Sequence, residues 1–356
     1  MFVAIHGPNY DPLTAEDIEL LKKMAGGVHG VKLMSYATLE TWRAVDEALH
    51  PKLWIVRLVD LAHIANLKAI YAAGYRNVIV EFYNEPNNKV EGFTFDGKPN
   101  IGVFVAMYEV AESTIVAACP EWQIGFTGLS PQLAPYIWWT DPRVKPLLAR
   151  AHVVCGHAYY LNSPNEAEID LQDVLAYCPD KTIVLSEVAC TAGENGPPPD
   201  RATLATDYVQ LAKRFAEYPR VMAVVFWIVD GTHEWRDAGE TFDEQMASAL
   251  GALRIPIEEV IEVVDHLADF MRNAWERLGV RVNPDDSFFK EGVKQARENG
   301  VYIFPTPSPD GNYYVEIEGY YVSQTMPPMH CPVDNPADVK MGLPSPFLVA
   351  QAGANG

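Results

Sequence analysis

Val78-Ile79-Val80-Glu81-Phe82-Tyr83-Asn84-Glu85-Pro86-Asn87 decides the fold. It opens as a run of β-branched and aromatic residues long enough for one buried strand, then halts at Pro86. An amide and a carboxylic acid are left side by side at the strand's C-terminal end. A second run, Thr182-Ile183-Val184-Leu185-Ser186-Glu187, also ends on a glutamate. In a barrel of parallel strands and helices, catalytic groups project from that end. Two apolar strands with a glutamate at each tip therefore predict a two-carboxylate site. If strand alternation continues through the first motif, Glu81, Tyr83 and Glu85 share one face, with Glu81 deeper or paired with a cation.

Outward from these two strands, strand-like runs alternate with helical periodicity. Strands are predicted at Phe2–His6, Val31–Met34, Leu53–Val59, Asn77–Tyr83, Trp122–Thr127, Val153–Tyr159, Thr182–Glu187 and Val221–Ile228. Helices are predicted from Thr14, a cap with Asp17 three residues on, and at Leu39–Leu49, Leu61–Ala73, Val103–Ala118, Val144–Arg150, Leu171–Ala176 and Leu204–Phe215. Loops fall at Pro8–Pro12, Asn87–Gly102 and Gly193–Pro199. Eight strand–helix repeats over about 250 residues predict a (β/α)8 TIM barrel, an α/β fold. An open doubly wound sheet fits less well, because no Gly-rich phosphate turn follows the first strand.

Past Gly251 the pattern changes. Ile257 to Leu278 carries a long amphipathic stripe, readable as the eighth barrel helix or the start of an appendage. Ser287–Glu298 reads as a further helix, Tyr313–Ile317 with Tyr320–Ser323 as a hairpin, and the Pro-rich tail from Thr325 as irregular. The expected division is a catalytic barrel over residues 1–252 and a small C-terminal α+β extension over 253–356.

Composition bounds the function. The chain of 356 residues carries 27 Lys and Arg against 47 Asp and Glu, a net charge of -20. That surface repels phosphate backbones and anionic lipid, which argues against nucleic-acid and membrane partners. A neutral carbohydrate is compatible with it. The N-terminus has no signal-peptide pattern, and the longest apolar run, Val221–Val229, is too short to span a bilayer. The cysteines (Cys119, Cys155, Cys178, Cys190 and Cys331) show no paired spacing, so neither a disulfide framework nor a zinc site is expected. No metal or cofactor motif occurs, and no nucleophile elbow or phosphate loop.

The segment Phe82-Tyr83-Asn84-Glu85-Pro86-Asn87 resembles the strand-four motif of clan A glycoside hydrolases, retaining β-glycosidases on (β/α)8 barrels, most in the manner of family 39 and then family 5. The resemblance implies that Glu85 is the general acid/base, that Asn84 binds the 2-hydroxyl of the sugar, and that Glu187 is the nucleophile. His157-Ala158-Tyr159 is similar to the clan's His-x-Tyr, whose tyrosine touches the nucleophile, and Trp227 matches the aromatic floor of the sugar subsite. An arginine that many members place after strand two is absent. Lys32 stands there, with Arg57 one strand later, as candidate substitutes.

Retention needs two carboxyl groups about 5–5.5 Å apart, one protonated and one ionised. Donors from Tyr159 or Arg57 would keep Glu187 ionised, and repulsion from Glu187 would keep the proton on Glu85. Trp138 and Trp139 read either as packing or lid residues or as sugar platforms. A carbohydrate-binding protein without turnover, and a transglycosylase on the same scaffold, are the alternatives.

Overall fold

The structure is a computed structural model that describes residues 1–8, 12–91, 93–95, 98–192, 200–229 and 241–256, and the backbone of three strands beyond them. Eight parallel strands close a barrel: β1 (Phe2–His6), β2 (Gly30–Met34), β3 (Leu53–Leu58), β4 (Val78–Phe82), β5 (Gln123–Phe126), β6 (Val153–Tyr160), β7 (Thr182–Cys190) and β8 (Val221–Phe226). Each pairs with its neighbours in sequence, and β8 closes on β1 with Phe2 opposite Ala223 and Ile5 opposite Phe226. The (β/α)8 barrel expected from the alternation is therefore the fold.

The helices follow from local signals. Thr14 caps α1 (Ala15–Met24): its hydroxyl accepts from the Asp17 amide, and the Asp17 carboxylate reaches back to the Thr14 amide. Asp200 caps α8 (Arg201–Phe215) and Asp243 caps α9 (Glu244–Gly251). A short 3-10 turn precedes α3 (Ile64–Ala72), where a continuous helix was expected, and Gly74 at φ 103° follows it. The remaining outer helices are α2 (Leu39–Leu49), α4 (Ile101–Ala118), α5 (Tyr136–Thr140), α6 (Lys145–Arg150) and α7 (Asn165–Tyr177). By length and composition α4 is apolar enough to cross a bilayer. In the barrel it instead turns Phe104 and Tyr108 onto Phe126 of β5.

After β8 the chain forms α9, packed against α1 and α8, a helix the sequence pattern did not mark. Gly251 lets it approach α1 closely, since a Cβ there would lie 2.0 Å from the Lys23 carbonyl oxygen. The stretches 257–278, 287–298 and 320–323, the tail from 332 and the loop 193–199 lie outside the described residues, as do parts of the loops after β1 and β4.

The chain divides into one compact unit of residues 1–112 and 122–262 and a second of 113–121 and 263–356. Of the C-terminal part of the second unit, three antiparallel strands are described: β9 (Tyr302–Pro307), β10 (Tyr313–Glu318) and β11 (Met329–Cys331), with β10 central. The expected strand at Tyr313 is present, and its partners are β9 and β11. β9 carries Pro305 and Pro307, which only an edge strand tolerates, and it lies at the edge.

Inside the barrel, side chains alternate in and out along each strand. The inward set Phe2, Ala4, Leu53, Ile55, Ile79, Val153, Cys155, Val184, Ala223 and Val225 makes a buried apolar plug. Each of these larger side chains stabilises the fold by about 1.5–3 kcal/mol through burial. One step nearer the C-terminal ends, the same inward positions become polar: His6, Arg57, Glu81 and His157, with Lys32 and Ser186, are all buried. The barrel thus holds a charged layer on an apolar floor, directly beneath its mouth.

Candidate active site

The end of β4 is a built turn. Tyr83 and Glu85 sit at φ 61° and 32°, in the left-handed region that L-residues enter at a cost of roughly 1–3 kcal/mol each. Hydrogen bonds hold the turn. The Glu85 amide donates to the Gly128 carbonyl (3.1 Å), and the Asn88 amide donates to the Glu85 carbonyl (2.7 Å). The Asn87 side chain donates to the Ser130 carbonyl (2.8 Å) and accepts from the Ser130 amide (2.9 Å). The left-handed Tyr83 also breaks the alternation, so the expectation that residues 81, 83 and 85 share a face fails at residue 83. Tyr83 turns away, donating to the Met107 carbonyl (3.3 Å) and packing on Phe93.

The end of β7 is built differently. Register along β6 and β7 slips by one residue: Gly156 faces Leu185, but His157 faces Glu187. That irregularity is a β-bulge at Ser186, and a bulge re-aims the next side chain. Ser186 and Glu187 consequently both reach the interior. The Ser186 hydroxyl donates to Glu81 Oε1 (2.8 Å), while Glu187 meets the barrel's cations.

The two tips converge. Glu85 Oε1, His157 Nδ1 and Glu187 Oε2 fall within 4.8 Å of one another. The Tyr159 hydroxyl stands between the carboxylates, 3.0 Å from Glu85 Oε1 and 2.8 Å from Glu187 Oε2. Having a single proton, it donates to one of them at a time. Glu187 Oε1 takes the Lys32 ammonium at 3.2 Å and the Arg57 guanidinium. Among the described residues Glu85 meets no cation of that kind: His157 Nδ1 lies 2.8 Å from Oε1, and Asn88 Nδ2 donates to Oε2 at 3.2 Å.

These contacts set the charges. Burial pushes the Glu85 carboxyl up, but hydrogen bonds from His157, Asn88 and Tyr159 and the charge of His157 outweigh it and hold the group down at about 2. Repulsion from Glu187 was expected to keep a proton on Glu85. In this arrangement the donors around Glu85 win instead, and the group is ionised. Glu81 is likewise held well below the usual carboxylate range, with Lys32, His157 and Arg57 overcoming its burial. The expectation that Glu81 sits deeper or is paired with a cation is met by the pairing, because Lys32 Nζ lies 2.6 Å from its Oε2.

The other expected site residues are also brought here. Trp227, just past β8, is buried with Ala189, Ile228 and Tyr159, its ring edge-on to His6 at 4.4 Å. Asn84 is half-buried beside Glu85 in the turn. Arg57 and Lys32 both reach Glu187. Trp138 and Trp139 are buried packing residues, the first against Phe104 and the second against Tyr177.

Several members were not foreseen: His6, Asn88, Gly128 and Ser186. Gly128 is a necessity, since a Cβ there would lie 2.3 Å from His157 Nε2. Its signal was available in the Thr127-Gly128 step at the end of strand five. Glu85, His157 and Glu187 are close enough to offer ligands to a metal ion. Their oxygens are already held by Lys32, Arg57, Tyr159 and Asn88, a set of partners that suits a carboxylate pair better than a cation.

No family model matches the chain, and no curated protein matches it in sequence. Solved structures do. A GH128 subgroup II endo-β-1,3-glucanase from Pseudomonas viridiflava aligns with a TM-score of 0.51 at 12% identity, over 72% of this chain and 98% of its own. A GH128 subgroup VI exo-β-1,3-glucanase from Aureobasidium namibiae aligns with a TM-score of 0.50 at 12% identity, over 72% of this chain and 99% of its own. The chain shares its (β/α)8 fold with these glycoside hydrolases.

Proposed function

We propose that this chain is a retaining β-glycosidase with Glu187 as nucleophile and Glu85 as acid/base. One observation carries the reading: two carboxylates at the barrel mouth, within 4.8 Å and joined by one tyrosine hydroxyl, are surrounded in opposite ways. Carboxyl oxygens that close support the narrow spacing of a retaining pair over the wider spacing of an inverting one. Lys32 and Arg57 favour the ionised Glu187 that attacks the anomeric carbon. His157 Nδ1 lies 2.8 Å from Glu85 Oε1. Substrate entering the mouth excludes water, which favours the neutral carboxyl, so Glu85 enters the complex with a proton taken from solvent and gives it to the leaving oxygen. The same carboxylate then takes a proton from water as the glycosyl ester on Glu187 is cleaved. Trp227 and Tyr159 offer flat faces to the sugar, and Asn84 is placed for the hydroxyl beside the anomeric carbon.

The family is read more broadly than family 39 or family 5, since the similar folds described above are GH128 enzymes. Their β-1,3-glucanase activity puts β-1,3-gluco-oligosaccharides at the head of the substrates to try. The low-lying Glu85 carboxyl favours a second reading, a protein that binds oligosaccharide without cleaving it, because such a site lacks a ready acid.

The test is hydrolysis of aryl β-glycosides and of β-1,3-glucan, mannan and xylan oligomers by wild type, Glu187→Ala and Glu85→Ala, with and without azide. Wild type is expected to release product of retained configuration. Azide should rescue Glu187→Ala as a glycosyl azide of inverted configuration and Glu85→Ala as one of retained configuration. Oligosaccharide binding with no turnover on any substrate would select the second reading.

A further inference from the structure

Between the apolar plug and the two carboxylates lies an ion pair that no step of the reaction consumes. Lys32 and Glu81 are both fully buried. The Lys32 ammonium forms an ion pair with Glu81 Oε2 at 2.6 Å and donates to the Ser186 carbonyl at 3.1 Å and to Glu187 Oε1 at 3.2 Å. Glu81 Oε1 accepts from the Gly128 amide (3.1 Å) and the Ser186 hydroxyl (2.8 Å). Glu81 is thereby enclosed on every side by protein, and a substrate atom has no approach to it.

A buried pair of this kind contributes little net stability, because an apolar pair of the same volume does as well without the desolvation cost. Stability alone therefore does not account for it. Its position does: the ammonium touches the nucleophile, and the carboxylate touches both strands that deliver the catalytic groups. Ser186, the bulged residue, is bonded through its hydroxyl to Glu81 and through its carbonyl to Lys32. The pair thus pins the irregularity that turns Glu187 inward.

We propose that Lys32 and Glu81 are positioning residues, a buried pair in which the ammonium orients Glu187 and holds it ionised while Glu81 keeps that ammonium charged and in place. This rests on the reading of Glu187 as the nucleophile. The need for Glu81 is electrostatic. Arg57 on β3 also lies on Glu187, and two cations on one carboxylate oxygen repel each other. Burial and Arg57 pull Lys32 down to about 8, and Glu81 opposes them. The titratable groups facing the ammonium are Glu81, Arg57, Glu187 and Cys155, with His6 behind them, itself held neutral by burial and by the two cations. As pH rises through about 8 the ammonium loses its proton and Glu187 loses its hold, so kcat should fall on that limb.

The deciding comparison is wild type against Lys32→Met/Glu81→Met, which removes both charges together and is expected to fold with a thermal midpoint near that of wild type. Three results are expected: kcat lower by about 100-fold with KM little changed, the alkaline limb near pH 8 gone, and the Glu187 carboxyl titrating at higher pH. The last is read by 13C NMR with the signal assigned through Glu187→Gln. A folded double variant with wild-type kcat and an unmoved Glu187 titration would overturn the proposal. Should the double variant not fold, Lys32→Arg decides. Its guanidinium keeps the charge to high pH, so the alkaline limb should move upward, and a limb still at pH 8 would count against Lys32. If wild type cleaves no substrate, the glycosidase reading falls, and the Glu187 titration still tests the positioning role.

Discussion

The ends of β4 and β7 deliver the same side chain to one spot by opposite means. At β4 the backbone leaves strand geometry altogether, through two left-handed residues tied down by Asn87 and Gly128. At β7 the strand continues to Cys190, and a single bulge at Ser186 re-aims the glutamate within it. The electrostatics differ as much as the backbone. Glu187 meets an ammonium and a guanidinium, whereas Glu85 meets a histidine, an amide and a phenol. The contrast fits the roles proposed above: a nucleophile needs a lasting negative charge, which the cations Lys32 and Arg57 favour. An acid/base must gain and lose a proton, and only titratable or neutral partners permit that.

The sharpest way to break this contrast is to remove His157, which lies 2.8 Å from Glu85 and 3.8 Å from Glu187. His157→Asn should lower kcat by about 10²-fold or more on substrates that need leaving-group protonation, the scale of lost acid–base catalysis, while azide rescue of Glu187→Ala persists on aryl glycosides whose leaving group needs no proton. It should also change acid stability in a defined direction. Glu85 is depressed to about 2 from an ordinary 4.5, so its contribution is fully present above 4.5 and is lost as pH falls through 2. Without His157 that contribution shrinks. Thermal midpoints of wild type and variant should therefore lie apart near neutral pH and converge toward pH 2. Parallel curves across that window would show that His157 does not set the Glu85 charge.

A smaller effect sharpens the contrast from the side of the scaffold. Gly128 serves the β4 end alone: its carbonyl accepts the Glu85 amide, its amide donates to Glu81, and the space above it holds the His157 ring. Gly128→Ala places a methyl against His157 Nε2 and should cost about 1–3 kcal/mol by overpacking. Its kcat should fall as in His157→Asn, with the affinity of Glu187→Gln for oligosaccharide unaltered by adding the same change. Chemical denaturation and binding measured on the two backgrounds would check both halves.

The sequence carried the barrel clearly because strand and helix periods alternate from the first residue, and both glutamates were legible as strand tips. What it did not carry was the means of delivery. Thr182-Ile183-Val184-Leu185-Ser186-Glu187 reads as regular alternation, and in a regular strand Ser186 and Glu187 point to opposite sides. A bulge depends on the partner strand's register, which no single run of residues encodes. Tyr83 at positive φ has no marker either, since an aromatic residue is a poor guide to left-handed backbone. The protonation of Glu85 was misjudged because the sequence showed the second carboxylate but not the donors that His157, Asn88 and Tyr159 bring from elsewhere. Helix α9 is faint in the sequence for a plainer reason: Glu244–Gly251 is short and buries only Met246, Ala247 and Leu250.

The mildest prediction concerns how Tyr159, the residue shared by the two ends, is itself held. Its amide donates to Asp170 Oδ2 of α7 at 3.0 Å, and Asp170 is largely buried, with Asp173 and Glu166 nearby. Burial first, and then those two acids, push the Asp170 carboxyl up to about 6, although the Tyr159 amide pulls the other way. A folded-state value raised above the ordinary 3.8 favours the fold below that value and loses the advantage as pH rises through about 6. At neutral pH the wild type therefore holds an unfavourable charge behind Tyr159. Asp170→Asn keeps an oxygen to accept the amide and removes the charge. It should raise stability at pH 7 by about 1 kcal/mol, discounted for partial exposure, and by almost nothing well below the ordinary value of 3.8. The gain should come without loss of kcat, because the hydroxyl between Glu85 and Glu187 stays where it is. A variant stabilised equally at neutral and at acid pH would mean that the charge on Asp170 is not the cause. A variant stabilised only at pH 7 but slowed would mean that the helix tunes the bridge between the carboxylates as well as supporting it.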